Sequence, residues 1–276
     1  ENGGHGSAIN AGVKLVSGKY FKVLDADDWV DRQGLETFIR ELAGCDSDVV
    51  ISNYREYDIS REKYTPRVSH LSDYKKTYCL SELMEAWDKV HACMAFWGIT
   101  YRTDFYRRQG YELLEGVFYE DQEYATIPLS RAETVSFSEA SVYVYRLGDV
   151  NQSVSGANQV RRIGHLAKVI RALQAFESQT DGLPAGGFDY WKKKTAMVLV
   201  SFYQITLLVN PNRVQGERQA DRLNAWLKRT SPVLFAAVYK KYRIFLLFHR
   251  VHMSERTYRF LIPPLLRILR RFKIWS

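Results

Sequence analysis

A ten-residue stretch, Tyr20 to Trp29, constrains this chain more than any other part of it. It begins as an apolar run of the kind that forms β-strands and ends in three carboxylates within four positions, Asp25, Asp27 and Asp28. In an open α/β sheet, ligands bind beyond the carboxyl ends of the strands, so we expect these acids to point into a cleft. The stretch therefore predicts a strand that carries acidic side chains to its tip.

Carboxylates this crowded repel one another unless a cation lies among them. Hard oxygen ligands suit Mg²⁺ or Mn²⁺, and Mg²⁺ usually takes one or two protein carboxylates and completes its shell with substrate phosphates and water. A metal-bound diphosphate is therefore the predicted ligand of these three acids. The competing interpretation is a solvated acidic turn that caps the next helix.

Two other segments bear on this choice. The upstream segment, Glu1 to Gly12, is rich in glycine before a predicted helix, where backbone N–H groups can approach a phosphate, although a simple turn is the alternative. The downstream segment places Glu120 and Asp121 in the first turn of a predicted helix, where the helix dipole favours an ionised carboxylate. An ionised acid there suits a general base, although a capping acid without a catalytic role is the alternative.

In this order and spacing, the three segments resemble motifs of the family 2 glycosyltransferases, inverting enzymes of the GT-A fold. The first is similar to N-x-G-x-x-x-A-x-N-x-G, the second to the D-x-D motif and the third to the E-D catalytic pair, and the resemblance covers roughly residues 1 to 156. It implies catalysis by Asp121, with Glu120 beside it. It also implies Mn²⁺ or Mg²⁺ as cofactor, held by Asp25 and Asp27, and a UDP-sugar as donor. The donor-binding residues that it implies are Asn2, Gly4, Asn10, Asp25 and Asp27.

The predicted fold class is α/β, a partial GT-A domain with a Rossmann-like mixed sheet followed by an α-helical region. After Tyr20 to Leu24, a helix from Asp31 to Gly44 and a strand from Asp48 to Asn53 give the β-α-β alternation of such a sheet. Ser7 is the predicted N-cap of the first helix. Because the chain opens on the Gly-rich segment, we expect the family's preceding nucleotide-binding strands to be missing from it.

Two weaker resemblances concern the acceptor. The turn at Trp97 comes where family members place residues on the acceptor side of the cleft, although Trp97 as a core residue is the alternative. Residues 146–156 resemble the family's Y-R-x…S-I-S loop over the active site, which adds Gln152 and Ser153 as candidates. A plain interdomain linker is the competing interpretation of that loop.

Charge divides the chain into two predicted domains, 1–156 and 157–276. The first has 17 Lys and Arg against 25 Asp and Glu, a net charge of −8, whereas the second has 22 against 6, a net charge of +16. The second reads as α-helices that are too short or too interrupted to span a bilayer. Its last segment, residues 264–276, has an apolar face and a basic face typical of an interfacial helix on an anionic membrane, or of a helix packed on its own domain.

The predicted function is metal-dependent, inverting transfer of a hexosyl group to a glycan or lipid-linked acceptor in cell-surface polysaccharide synthesis. Residues 159–163 match the Q-x-x-R-W motif of processive synthases except that Ile163 replaces Trp, so we expect transfer of a single sugar. Three scattered cysteines suit a reducing compartment, and the predicted location is cytoplasmic, peripheral at the inner face of the membrane. The alternative is a non-catalytic basic module that binds membrane or nucleic acid.

Overall fold

The computed structural model describes residues 2–148, 156–258 and 260. The chain divides into two compact units, of which the first comprises Glu1–Ser153 with His165–Thr195 and the second comprises Val154–Gly164 with Ala196–Ser276. Residues 165–195, which the charge pattern grouped with the C-terminal region, thus lie in the first unit.

The described residues form six strands and twelve α-helices. The strands are β1 (Tyr20–Phe21), β2 (Trp29–Val30), β3 (Val49–Asp58), β4 (Lys63–Arg67), β5 (Ile99–Arg102) and β6 (Val135–Leu147). The helices are α1 (Gly4–Leu15), α2 (Arg32–Ala43), α3 (Leu80–Glu85), α4 (Trp87–Val90), α5 (Thr103–Arg108), α6 (Asp121–Tyr124), α7 (Ile127–Ser130), α8 (Gly156–Arg161), α9 (Ile163–Ala175), α10 (Gly187–Gln204), α11 (Arg213–Thr230) and α12 (Pro232–Arg250).

All six strands join one mixed sheet in the order β1-β5-β3-β6-β2, with β4 paired to β3. Strand β3 runs parallel to β6 and antiparallel to β5 and β4. Strands β1 and β3 are both antiparallel to β5, so they run in the same direction, as a β-α-β alternation requires, with β5 between them. The predicted α/β class with a mixed sheet is therefore confirmed.

Helix α2 forms as the sequence predicts. The Asp31 side chain accepts a hydrogen bond from Gly34 N at 2.8 Å, and the chain leaves the helix at Gly44. Its buried Phe38 packs against Val50 and Val142 on one face of the sheet. Local capping signals and a single apolar face are enough to specify this element.

Helix α1 differs from the prediction, because it begins at Gly4 rather than after Ser7. The Ser7 side chain makes no capping hydrogen bond. Instead Asn2 Oδ1 accepts the Gly4 N–H at 2.9 Å, and Gly4 has a φ of +80°, a conformation that glycine adopts without strain. The Gly-rich opening is therefore the start of the helix rather than a loop before it.

Strand β6 is one continuous strand where the sequence predicts two, at 134–137 and 142–145. Its pairing with β3 shifts register after Ser138, so that the polar residues between the two apolar runs form a bulge. The Asn53 amide donates to Glu139 O at 3.0 Å and satisfies the bulged backbone. A bulge and a turn have similar polar sequences, which explains the difference.

Strand β1 is shorter than the predicted strand from Tyr20 to Leu24. Beyond Phe21 the chain leaves the ladder with β5, and Leu24 is exposed. The Lys22 side chain replaces the lost pairing, because its ammonium donates to Trp97 O at 2.6 Å and to Ile99 O at 3.2 Å. The acidic stretch thus follows a short edge strand and three irregular residues.

The second unit is helical. Helix α11 carries Gly216 against the π-helical turn Ile205–Val209, where a Cβ would collide with Thr206 O. The Tyr242 hydroxyl on α12 donates to Asp221 on α11 at 2.6 Å. Within the described parts of the chain, every helix falls short of the length and apolarity that a membrane crossing requires.

Candidate active site

The start of α1 is held against the segment that leads to Glu120. A Cβ at Gly6 would collide with Leu114 O, so only glycine allows the two backbones to come this close. One turn later, Asn10 donates to Leu113 O and accepts from Leu113 N, both at 2.9 Å. These contacts bring the first and third sequence motifs together, and they occupy the amide of Asn10, a predicted donor-binding residue.

Asn2 and Gly4, also predicted to bind the donor, lie at the first turn of α1. The Asn2 side chain is exposed and caps the Gly4 N–H. Beside them, Gly3 O accepts a hydrogen bond from Gly116 N at 2.6 Å. The start of α1 therefore contacts the segment before Glu120 at a second point, through Gly3 and Gly116.

The three acids after β1 have different surroundings. Asp27 is exposed, whereas Asp28 accepts from the Tyr143 hydroxyl at 2.6 Å and from Arg146 N at 2.8 Å. The same Tyr143 hydroxyl accepts from Asp25 N at 3.1 Å. Burial raises the pKa of Asp28 to about 6 in spite of these two donors. Asp28 thus ties the acidic turn to β6, whereas Asp27 remains open to solvent.

His5 joins the acidic turn to the E-D pair. Its Nδ1 lies 2.7 Å from Glu120 Oε1 in a hydrogen bond. Its Nε2 lies 2.9 Å from Asp25 Oδ1. These two atoms form an ion pair, but their geometry does not meet the criteria of a hydrogen bond. The contacts with Asp25 and then Glu120 raise the pKa of His5 to about 10, although burial opposes them. His5 of the first motif is thus in direct contact with Asp25 of the second motif and Glu120 of the third.

The E-D pair follows a strained residue. Tyr119 has a φ of +75°, which is uncommon for a residue with a side chain and is concentrated at functional sites. Glu120 then precedes α6, and its side chain is only 5% exposed. Asp121 is the first residue of α6 and accepts from the Gln122 amide at 2.8 Å.

The expected effect of the helix dipole on Asp121 is outweighed by burial. Helix α6 has four residues, and burial, followed by the charge of Glu120, raises the pKa of Asp121 to about 6. Lys194 on α10 acts in the opposite direction, and burial lowers the pKa of its own ammonium to about 8. Asp121 therefore remains mostly ionised at pH 7, but it is a stronger base than an exposed aspartate.

Aromatic rings lie next to these carboxylates. Trp97 stacks on Tyr145 with ring centroids 4.0 Å apart and an interplanar angle of 20°. Burial raises the pKa of Tyr145, and the charges of Asp28 and Asp121 raise it further, which puts the stack close to the acidic groups. Of the three predicted acceptor-side residues, Trp97 is therefore near the site, whereas Gln152 and Ser153 lie outside the described residues.

The acidic turn can be tested for its fit to a metal ion. Asp25 Oδ1 is buried and lies 2.9 Å from His5 Nε2, but it takes no hydrogen bond from the described residues, and Asp27, two positions further along, is exposed. Among the residues described, no three His, Cys, Asp or Glu side chains cluster as a metal site. Two carboxylates suffice for Mg²⁺ or Mn²⁺ when substrate phosphates complete the shell, so these residues fit a metal that arrives with its nucleotide.

Three cations at this site were not among the predicted residues: His5, Lys22 and Lys194. A histidine between glycines within the first motif was a usable signal for His5. The charge on Lys22 in an otherwise apolar run was a second signal, and burial lowers its pKa to about 7. Lys194 follows two other lysines, a pattern typical of a solvated helix face, yet its ammonium is buried and donates to Met94 O at 3.1 Å.

Comparison with known proteins agrees with this geometry. A family model described as Glycosyl transferase family 2 matches residues 1–124, which contain all three motifs. The part of the chain that contains the acidic turn and the E-D pair is thus similar to glycosyl transferase family 2.

Individual relatives are distant. The chain is 26% identical over 152 residues to the glycosyltransferase GlyA of Streptococcus pneumoniae, covering 53% of this chain and 22% of that protein. It is 24% identical over 146 residues to the uncharacterized glycosyltransferase EpsJ of Bacillus subtilis, covering 52% and 42%. A crystal structure of S. aureus TarS 1–349 with UDP-GlcNAc aligns with a TM-score of 0.45 at 17% identity, covering 91% and 73%. The chain thus spans less than half the length of these two curated relatives.

Proposed function

We propose that this chain transfers a single sugar from a UDP-sugar to a hydroxyl group of a glycan or lipid-linked acceptor, with inversion, in cell-surface polysaccharide synthesis. The observation that carries the proposal is the contact of the His5 ring with both Asp25 and Glu120. These three residues come from three motifs that are separate in the sequence. The match of residues 1–124 to the family 2 model and the names of the relatives support the same class of reaction.

Asp121 is the proposed general base. It accepts the proton of the acceptor hydroxyl while the hydroxyl oxygen bonds to the anomeric carbon of the donor. The bond from that carbon to the diphosphate oxygen breaks, and the electron pair leaves with UDP. One displacement from the opposite face inverts the anomeric centre and needs no covalent intermediate. A pKa of about 6 suits this role, because the group is ionised at pH 7 and still basic enough to take a proton.

Asp25 and Asp27 would hold Mn²⁺ or Mg²⁺ together with the donor diphosphate. When bound, the cation supplies positive charge that stabilises the departing diphosphate. Asn2 and Gly4 lie at the adjacent helix start and are proposed to contact the donor. For Asn10 the proposed contribution is indirect, since its amide fixes Leu113. Trp97, stacked on Tyr145, is proposed to line the acceptor side.

Replacing Asp121 tests the reaction. Asp121→Asn keeps the shape but cannot accept the proton, so we expect kcat to fall by about 10²-fold or more while UDP affinity changes by less than about threefold. We also expect kcat/KM of the wild type to decrease below about pH 6, and we expect Asp121→Asn to lack this decrease. Asp46→Asn is the matched control, because Asp46 is 88% exposed. UDP release with a panel of UDP-sugars measures both, and activity of Asp121→Asn within a few-fold of wild type would exclude Asp121 as the base.

The proposed place of action is the cytoplasmic face of the membrane, where a lipid-linked acceptor would be found. The support is the amphipathic, basic pattern of residues 264–276, which lie outside the described residues. Its four cations, at positions 267, 270, 271 and 273, each contribute about 1 kcal/mol near an anionic surface. This is enough for reversible attachment.

A further inference from the structure

The His5 ring is fixed on three sides. Glu120 and Asp25 contact its two nitrogens at 2.7 and 2.9 Å. Its face meets the edge of the Phe96 ring, with centroids 5.6 Å apart and an interplanar angle of 66°. Phe96 in turn contacts Tyr124 of α6, with centroids 5.2 Å apart. The ring is therefore held in place by the two acids and by the aromatic core beneath α6.

The ring joins two carboxylates that come from different segments of the chain. Its two nitrogens point in different directions, so each meets one carboxylate. Glu120, whose side chain is 5% exposed, depends on this contact, because its second oxygen takes no hydrogen bond from the described residues. Without the ring, this buried carboxylate would lose the one side-chain hydrogen bond that the described residues give it.

We propose that His5 is a positioning residue, which fixes the distance between the acidic turn and the E-D helix by bridging Asp25 and Glu120. The proposal rests on the proposed function, since its consequence for rate requires that Asp25 lies on the donor side and Asp121 on the acceptor side. His5 itself touches neither the donor nor the acceptor in this scheme.

The consequence for catalysis is a matter of alignment. Inverting displacement requires the base and the leaving diphosphate on opposite sides of the anomeric carbon. Misplacement of a reacting group by about 1 Å can cost about 10²-fold in rate. Removing the ring removes the contact that joins the acidic turn to the E-D helix, so the spacing between the two segments is no longer fixed. Donor binding depends on Asp25 and Asp27, which both remain.

Three variants test the proposal. His5→Gln keeps one nitrogen and replaces the other with a carbonyl oxygen, which only accepts hydrogen bonds. We expect kcat to fall by about tenfold to 10²-fold while KM for the donor changes by less than about threefold. His5→Arg retains a cation that can serve two carboxylates, and it should recover kcat to within about fivefold of wild type. His70→Gln is the control, because His70 is exposed and away from the acids. A His5→Gln kcat within threefold of wild type, or no recovery in His5→Arg, overturns the proposal.

Amide hydrogen exchange supplies a readout that needs no activity. In His5→Gln, peptides covering residues 24–28 and 119–124 should exchange at least about tenfold faster, whereas β3 should keep its protection. His5→Arg should restore the slow exchange. Unchanged exchange in both segments overturns the bridge, and loss of protection throughout β3 shows a general structural role instead. If wild type transfers no sugar from any UDP-sugar, the proposed function fails, and exchange alone decides whether His5 joins the two segments.

Discussion

Glu123 provides a quantitative test of the electrostatics behind α6. Its side chain is completely buried, and its Oε2 accepts from the Tyr111 hydroxyl at 2.5 Å and from Leu114 N at 3.4 Å. Its Oε1 has no hydrogen-bond partner within the described residues. Burial raises the pKa of Glu123 from 4.5 to about 7, with smaller contributions from the charges of Glu120 and Asp121.

The direction of the effect on stability follows from this raised pKa. As pH rises, the unfolded chain loses the proton near pH 4.5, whereas the folded chain keeps it until about pH 7. The contribution of Glu123 to the free energy of unfolding is therefore largest below pH 4.5. It decreases between pH 4.5 and pH 7 and is constant above that range. At about 1.4 kcal/mol for each pKa unit, the loss between pH 5 and pH 8 is about 2.5 kcal/mol.

Replacing Glu123 with Gln should remove this dependence. The amide keeps the shape and an acceptor for Tyr111, but it does not ionise. Between pH 5 and pH 8, the free energy of unfolding should decrease less in Glu123→Gln than in wild type. The difference between the two decreases should be about 2.5 kcal/mol. Glu41→Gln is the control, because Glu41 is exposed on α2.

The measurement should follow the first unit alone, since the chain has two compact units and need not unfold in one step. Amide exchange of β3 peptides across a urea series, at pH 5, 6, 7 and 8, gives the opening free energy of the sheet. A pH dependence in Glu123→Gln equal to that of wild type would refute the reasoning, and so would an equal flattening in Glu41→Gln.

Two further predictions concern binding. Asp27→Ala should weaken the binding of Mn²⁺ and UDP together, by about tenfold or more, because the diphosphate is held mainly through the ion. Calorimetric titration of UDP with and without Mn²⁺ measures this effect. UDP binding that does not need the metal and that the substitution leaves unchanged would contradict the metal assignment. Deleting residues 264–276 should release the protein from anionic vesicles in a flotation assay and leave transfer to a soluble acceptor intact. Aggregation of the shortened protein would instead mean that the segment packs on its own domain.

Local signals predicted the parts of the fold that depend on neighbouring residues. Asp31 and Gly44 delimit α2 because capping is decided within one turn of the helix. The length of β1 was not predictable in this way, because it depends on where the chain leaves β5, some 80 residues further along. The single strand β6 depends likewise on a bulge that Asn53 of another strand completes.

The candidate site was predictable where residue types alone define the chemistry. Asp25, Asp27, Glu120 and Asp121 stand out as acids in motifs, and the structure brings Asp25 and Glu120 to the same histidine. Their differences were not predictable, since Asp28 is drawn to β6 by Tyr143 and Arg146, which lie 115 and 118 residues further along the chain. The pKa of Asp121 depends on its burial and on the charge of Lys194, 73 residues further along the chain, and no spacing within the motif encodes either.

The close approach at Gly6 also limits how this sequence can change over generations. Every single-nucleotide missense change of a glycine codon adds at least a Cβ, and any Cβ at position 6 collides with Leu114 O. Gly12, on the same helix, has no atom within 4 Å of where its Cβ would be. The two glycines therefore differ in the substitutions that their surroundings allow. Position 12 has room for a side chain, whereas a side chain at position 6 would push α1 away from the segment that leads to Glu120.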